Sequence, residues 1–295
     1  MNILQFTGAV EMGLIYSLVA LGVFLSFRVL QFPDLTVDGS FPLGAAVTVS
    51  LISVGMNPIF ATLVAFMAGA LAGLTTAILA TRFKITDLIA GIITMTALYS
   101  INIRVMQGRP NVSIINEETL ISQLKTICRP LFDSFALVAV LILLVGGIVL
   151  LCYFFLSSHY GLALRATGNN ARMARANGIA DRRMIHVGLA LSNGLVALGG
   201  SLFSQESAFG DVNSGIGTLV AGLSGVILGE AFFPSSRLIV HIIACVLGAL
   251  ADRFIITIAL NMDGIGLEPT DLNLIRAVIL ATAIILSNII KGIKS

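Results

Sequence analysis

The sequence predicts an all-α, polytopic membrane protein of about nine transmembrane helices, two of them short or broken, arranged as an inverted-topology repeat. Three observations predict it. Of the 295 residues, 57% are hydrophobic and 11% charged, with a mean hydropathy of +1.01, whereas a soluble domain carries about 25% charged residues. The apolar residues also fall into runs of about 20, the length that crosses the hydrocarbon core at a rise of about 1.5 Å per residue. Finally, the phrase Leu18-Val19-Ala20-Leu21-Gly22 returns as Leu195-Val196-Ala197-Leu198-Gly199. The net charge of +2 offers no basic surface for a polyanion, which argues against a nucleic-acid partner.

Bounded by charge, proline or polar clusters, the runs are Gly8–Phe27, Phe41–Gly55, Pro58–Thr81, Ile85–Met106, Phe135–Ser157, Val187–Gln205, Gly217–Glu230, Leu238–Leu260 and Leu272–Ile290. The first has no Lys or Arg ahead of it and reads as a retained span, not a cleaved signal peptide. The second and seventh are short. Interrupted helices survive at membrane depth only where protein or a water-filled cavity satisfies their backbone, so these two point to a translocation route. In the third and sixth, Gly69-Ala70-Leu71-Ala72-Gly73 and the glycines from Gly188 to Gly200 suit close helix packing. The fourth carries Thr94, Tyr99 and Asn102, which either face the route or bond between helices. In the eighth, Asp252 and Arg253 are adjacent and point apart on a helix, so each needs another partner or the helix breaks there. Glu11 and Glu206 lie near span ends and read as solvated. Cys128, Cys152 and Cys245 show no metal-ligand spacing and read as packing residues.

Orientation follows from the basic residues. Strict alternation puts eleven of them, including Arg28, Arg82, Lys84 and the five arginines of 159–186, on one side, and three, Arg109, Lys125 and Arg129, on the other. The first side is therefore cytoplasmic, with the N-terminus outside and the C-terminus inside. The longest outward loop, Gln107–Phe132, reads as a small cap or docking surface.

Carrying the offset of the repeated phrase forward aligns Phe32-Pro33-Asp34 with Phe209-Gly210-Asp211 and Leu43 with Val220. The whole chain, 1–295, is then one permease domain of two repeats, about 8–157 and 187–291, joined by the cytoplasmic loop 158–186. The copies start five spans apart, an odd number, so they cross in opposite directions and the solute route runs between them. Asp34, Thr36, Asp38 and Ser40 form the turn before the short second span, and Asp211, Asn213 and Ser214 form its counterpart before the seventh. These polar groups are candidates to line the route, and equally to cap the short helices, whose positive ends favour carboxylates.

The cytoplasmic loop is built like a docking element. Asn169 or Asn170 can cap a short helix over Ala171–Asn177, Gly178 stops it, and its alanine-rich face suits close approach to a partner. Gly161, Arg165-Ala166, Arg172-Met173-Ala174 and Gly178-Ile179 together resemble the coupling loop in permease subunits of bacterial ATP-binding-cassette importers of the branched-chain amino-acid and ribose type. Gly13, Tyr16, Leu18, Ala20, Leu21 and Gly22, leading to a polar turn and Gly44, are similar to the start of those permeases. The turn itself, FPDLTVDGSFPLG over Phe32–Gly44, is closer to the branch associated with tryptophan or tyrosine.

The resemblance implies a multi-pass protein of the bacterial inner membrane, working as a pair of permeases, a homodimer, with cytoplasmic ABC ATPases and an extracytoplasmic substrate-binding protein. It assigns ATPase coupling to Arg165, Gly168, Asn170, Arg172, Met173, Ala174, Arg175 and Gly178. ATP and Mg would sit on the partner ATPase, and this chain would bind no cofactor and be no enzyme. In agreement, the sequence has no GxxxxGK[ST] loop to cradle phosphates. An ion-coupled secondary transporter would share the repeats and broken helices but has no use for a docking loop. A remoter reading, an intramembrane protease of the rhomboid type, rests on Gly222-Leu223-Ser224-Gly225 and His241, which would have to meet as a Ser/His pair.

Overall fold

The computed structural model describes residues 3–124, 136–235, 237–261, 271, 274–282 and 285. In chain order the helices are α1 (Ile3–Val23), which continues as a π-helical turn over Phe24–Val29, α2 (Val37–Ser53), α3 (Pro58–Thr81), α4 (Asp87–Val105), α5 (Ala136–Ser157), α6 (His159–Asn169), α7 (Ala171–Ala176), α8 (Asp181–Ser207), α9 (Thr218–Phe232) and α10 (Leu238–Leu260). Seven helical segments among the described residues are long and apolar enough to cross a membrane, and α2 is a shorter apolar helix. The chain is an all-α, multi-pass membrane protein. Of the ninth expected span, residues 274–282 are described and helical, whereas both of its ends lie outside the described residues; Cys128 also lies outside them.

The edges of α3 and α10 coincide with the sequence reading. α3 starts where Asn57 accepts a hydrogen bond from the Ile59 amide and Pro58 takes the first helical position. Other edges differ. α2 begins at Val37, not Phe41, and so contains Pro42, whose missing N–H leaves the Asp38 carbonyl without its intrahelical donor. α8 begins at Asp181, so the segment expected as a loop over 158–186 is largely helical. In the loop expected as a cap, β1 (Asn111–Ser113) pairs antiparallel with β2 (Phe209–Asp211), with Val112 opposite Gly210. The Leu120 amide donates to Gln205 Oε1 at 2.9 Å, tying that loop to the end of α8.

α8 is the spine. α2 runs parallel to it in constant register: Ser40 donates to Asn193 and Thr48 to Ser201, each at 2.7 Å and each across 153 residues. Between these bonds Gly44 lies against the Ala197 carbonyl so closely that a Cβ would sit 1.9 Å from its oxygen. α3 runs antiparallel to α8, bonded at one end by Gln205 to Thr62 (2.9 Å) and at the other by Thr81 and His186 (2.7 Å). Gly69 and Gly73 press onto the backbone at Asn193 and Leu189. The glycine-rich stretches thus do what their spacing predicts, since small residues let helix backbones approach in lipid. α1 crosses α8 antiparallel, with Ser192 Oγ donating to the Gly22 carbonyl at 2.7 Å.

The same 153-residue register places Val37 level with Ala190, nine residues or roughly 13 Å into α8. α2 therefore starts partway along α8. α9 runs beside the later half of α1, with Gly222 against Val19 and Val23 and Glu230 paired to Arg28 at 2.7 Å. It points the opposite way to α2.

Candidate functional site

The starts of α2 and α9 are reached by chain outside the α-helices, 30–36 and 209–217 respectively. Each contains the same turn. Asp34 Oδ1 accepts from the Thr36 amide at 2.9 Å, and Asp211 Oδ1 accepts from the Asn213 amide at 2.8 Å. Such turns are what aspartate does two residues ahead of a chain reversal. Around Asp34 the polar groups are closed into a network. Its Oδ2 accepts from Asn193 Nδ2 at 2.6 Å, Asn193 Oδ1 accepts from Ser40, and the Thr36 hydroxyl meets that of Thr76 at 2.7 Å. Asp34, Thr36, Ser40, Thr76 and Asn193 are all buried. Asp211 instead opens a 3₁₀ turn, Val212–Gly215, with Ser214 donating to its carbonyl at 2.7 Å.

Asp38 bridges the two starts. It sits in the first turn of α2, yet its Oδ1 accepts from the Leu219 amide of α9 at 2.7 Å. The capping expected of these carboxylates is thus crossed: Asp38 serves the other helix, whose positive end favours it. Beside this bond lies a cavity of about 230 Å³ lined by Asp38, Gly39, Pro42, Met95, Tyr99, Asn102, Val212, Asn213, Gly215 and Ile216. Pro42 has no N–H to offer the Asp38 carbonyl, and Gly215 approaches that oxygen closely enough that a Cβ would lie 1.9 Å away. Asn102 donates to the Gly39 carbonyl at 3.3 Å, and its own Oδ1 is buried without a partner.

The expected path residues therefore separate. Asp38, Tyr99, Asn102 and Asn213 meet at this cavity. Asp34, Thr36 and Ser40 belong to the closed network, and Asp211 and Ser214 to the 3₁₀ turn above the cavity. Thr94 donates to Ala90 of its own helix at 3.0 Å and borders a different, apolar cavity of about 630 Å³ between α2, α3 and α4. Sequence reasoning missed Asn193 and Thr76; the available signal was a lone amide in the middle of an apolar run.

At the opposite end from the β ladder, α6 and α7 form the segment expected to couple. Asn170 caps α7, accepting from the Arg172 and Met173 amides at 3.1 and 3.0 Å. Gly178, at φ 78°, ends it, with Ile179 N–H donating to the Ala174 carbonyl and Gly178 N–H to that of Arg175, each at 3.0 Å. This is the glycine-stopped helix end that the spacing predicts. One expectation fails: Ala174 is fully buried within its own chain and cannot be the face that meets a partner. Arg172, Met173 and Arg175 are exposed instead, and Arg175 pairs with Asp181 at 3.2 Å. Gly168 lies on the end of the π-helical turn, where a Cβ would sit 2.0 Å from the Val29 carbonyl oxygen. Arg165 borders a cavity of about 540 Å³ with Arg28, Gln31, Asn169, Met173 and His241.

Charges within the spans have partners on other helices. α10 does not break at Asp252-Arg253: Asp252 accepts from Ser224 Oγ at 2.6 Å, and the Arg253 guanidinium lies over the Tyr16 ring, 3.5 Å from its centre. A desolvated cation–π contact contributes up to about 2 kcal/mol, against about 2.5–3.5 kcal/mol for inserting a central arginine. Ser224, the serine of the protease-like phrase, is committed to Asp252, whereas His241 borders the cavity at the other end of α10. Cys152 and Cys245 are free thiols, and Cys245 is buried in the core. Glu11 and Glu206 are half-buried and line a cavity between α1, α8 and α10, so they are not the solvated groups expected. Among the described residues no three His, Cys, Asp or Glu side chains converge as a metal site requires.

Membrane-length helices packed around α2 and α9, whose first turns meet at Asp38, are an arrangement that suits a solute permease. The chain belongs to the family described as branched-chain amino acid transport system / permease component, which matches residues 6–287. It is similar to a tyrosine transport system permease protein of Clostridioides difficile (strain R20291), 36% identical over 281 residues, 95% of this chain and 90% of that protein. An uncharacterized protein of Rickettsia prowazekii (strain Madrid E) is also 36% identical, over 288 residues, 95% of this chain and 96% of that one. No solved structure matches it significantly. The family and the Clostridioides difficile relative are transport permeases, and this chain is a transport subunit, not an enzyme.

Proposed function

We propose that this chain is the permease of an ATP-driven importer that passes an amino acid, aromatic in preference to branched-chain, from an extracytoplasmic binding protein to the cytoplasm. Two copies would sit in the bacterial inner membrane, N-termini outside and C-termini inside, over partner ATPases that hold ATP and Mg. The family and the tyrosine-system relative support the class of solute. The matching aspartate turns at 34 and 211, ahead of two short helices of opposite direction, support the reading of two inverted halves, 8–157 and 187–291.

The observation that carries the ATP-driven part is the seating of α6 and α7. α7 is capped at both ends, presents Arg172, Met173 and Arg175 outward, and is joined through α6 to Gly168, which rests on the Val29 carbonyl at the inner end of α1. A push on α7 is thereby delivered to α1 and to the chain leading to Asp34. Arg165, Asn170 and Gly178 keep this element in shape.

The test is uptake by the permease, its ATPase and its binding protein reconstituted together. Labelled tyrosine should enter with ATP inside, and unlabelled tryptophan should compete better than leucine or ribose. Met173→Glu should abolish ATPase binding and uptake while insertion stays normal. Uptake that continues without any ATPase, driven by an ion gradient, would overturn the reading. Single cysteines at Ser113 and Asn169 should label from outside and inside respectively; the reverse would overturn the orientation.

A further inference from the structure

Two membrane-length helices end beside a cavity that the transport reading leaves unused. It holds about 540 Å³ where α1 finishes in its π-helical turn and α10 begins, and residues of α6 and α7 complete its wall. Arg28 lies one residue from the end of the apolar segment Gln5–Val29, and His241 lies in the first turn of Leu238–Leu260. The cavity therefore sits at the boundary of the membrane.

Its polar lining is cationic or amide throughout: Arg28, Gln31, Arg165, Asn169 and His241. Among the described residues no carboxylate lines it. Glu230, outside the lining, pairs with Arg28 through Nε at 2.7 Å, which leaves the terminal nitrogens of that guanidinium to bind something else. The side chains of Gln31, Arg165, Asn169 and His241 have no hydrogen-bond or ion-pair partner among the described residues. Gln31, Arg165 and Asn169 are exposed, so their donors are within reach of a ligand. The rest of the wall is apolar and includes Phe24, Leu162 and Leu238. Leu162 is exposed, as are Phe154 and Tyr160 ahead of it on α5 and α6. α5 is the least buried of the membrane-length helices, so chain that faces lipid continues directly into this wall.

We infer that the cavity binds the headgroup of an anionic phospholipid, with Arg28 and Arg165 on the phosphodiester, His241, Gln31 and Asn169 donating to its remaining oxygens, and the first carbons of the chains against Phe24, Leu162 and Leu238. Basic pockets between helix ends at the membrane surface suit such headgroups, and a guanidinium fork matches phosphate oxygens. The volume falls within the roughly 300–1,000 Å³ of small-molecule sites, more than a bare phosphate fills. An acidic segment of an ATPase would match the charge but not an apolar wall continuous with the lipid-facing surface. Because Asn169 and Met173 also border the cavity, a lipid held there ties the ends of α1 and α10 to the α6–α7 element. The site goes beyond the proposed function and stands whichever solute is carried.

The test uses the purified full-length permease in detergent, without an ATPase. Phosphatidylglycerol and phosphatidylcholine with identical chains are titrated in separately, and the bound copies are counted by native mass spectrometry. One phosphatidylglycerol should be retained under conditions that strip phosphatidylcholine; equal retention of both would overturn the site. Arg165→Gln should weaken the bound phosphatidylglycerol by about fivefold, the scale of one basic residue at an anionic lipid. His241→Leu should weaken it too, and carries the test if Arg165→Gln does not fold. Arg182→Gln removes an exposed cation that does not line the cavity and should have no effect; a loss equal to that of Arg165→Gln would reduce the binding to diffuse attraction and overturn the site. Release of the lipid by inorganic phosphate at the same concentration would assign the cavity to the free anion, and release on adding the ATPase would assign it to that partner; either overturns the lipid. Failed uptake by the complete importer, with the lipid still bound, would count against the transport reading and leave this site standing.

Discussion

Helices α2 and α9 start next to each other, joined through Asp38, and their first turns are held in contrasting ways. The start of α2 is anchored by Asp34, Thr36 and Ser40 to Thr76 of α3 and Asn193 of α8, all buried and all bonded. The start of α9 has one side-chain cap from outside its own segment, Asp38, and lies beside a cavity in which the Asn102 oxygen is unpaired. A closed polar network inside a protein fixes one geometry. An incompletely satisfied one has room for something else. Richness in polar residues thus does not by itself mark a route through the membrane; the degree to which those residues are already satisfied does.

The comparison breaks most severely at Asn193. Asn193→Leu takes a partner from both Asp34 and Ser40 and leaves the carboxylate only the Thr36 amide, a loss of about 3 kcal/mol or more. A sharp fall in monodisperse protein and in melting temperature, measured in detergent, is the expected result. Asp38→Ala should destabilise far less, by about 1 kcal/mol for a lost cap, yet reduce tyrosine uptake strongly, because the start of α9 loses its tether beside the cavity. Asp38→Asn keeps a capping oxygen, so its melting temperature should stay near that of the parent while uptake reports on the charge alone. Unchanged uptake in both would remove the α9 start from the route. Asn102→Leu gives up one long hydrogen bond and an oxygen that has no partner. Its stability cost should be under about 1 kcal/mol, with the effect seen in transport rate. Thr94→Val should be the mildest, within about 0.5 kcal/mol and without effect on uptake; a transport defect there would draw the large apolar cavity into the path.

The same contrast separates what was legible in the sequence from what was not. The edges of α3 and α10 could be read because Asn57-Pro58, Arg82 and Arg237 mark them chemically. The start of α2 could not: Asp38 and Pro42 look like loop punctuation, and only the turn at Asp34 with its remote partners lets a helix begin at Val37. Asp38, Tyr99, Asn102 and Asn213 were recognisable as polar groups in apolar surroundings, and the structure gathers them. That Asn193 holds Asp34 and Ser40 is a tertiary fact across 159 and 153 residues, and nothing local encodes it. Ala174 shows the limit of reading small residues as contact surfaces, since an alanine suits a close approach to its own chain as well as to another. Tyr16 was visible only as part of a phrase; its role under Arg253 depends on α1 and α10 lying side by side.

The bond between Asp34 and Asn193 also sets an order of events during synthesis. When the ribosome has finished α2, the partner of its polar start does not yet exist, and 159 residues separate the two. At about 5–20 residues per second, roughly 8 to 30 s pass before α8 is made. Through that interval α2, short and with a buried carboxylate at its root, has no stable place in lipid on its own. The insertion machinery must shelter it until α8 arrives, and α3, which needs α8 for its own glycine contacts, waits with it.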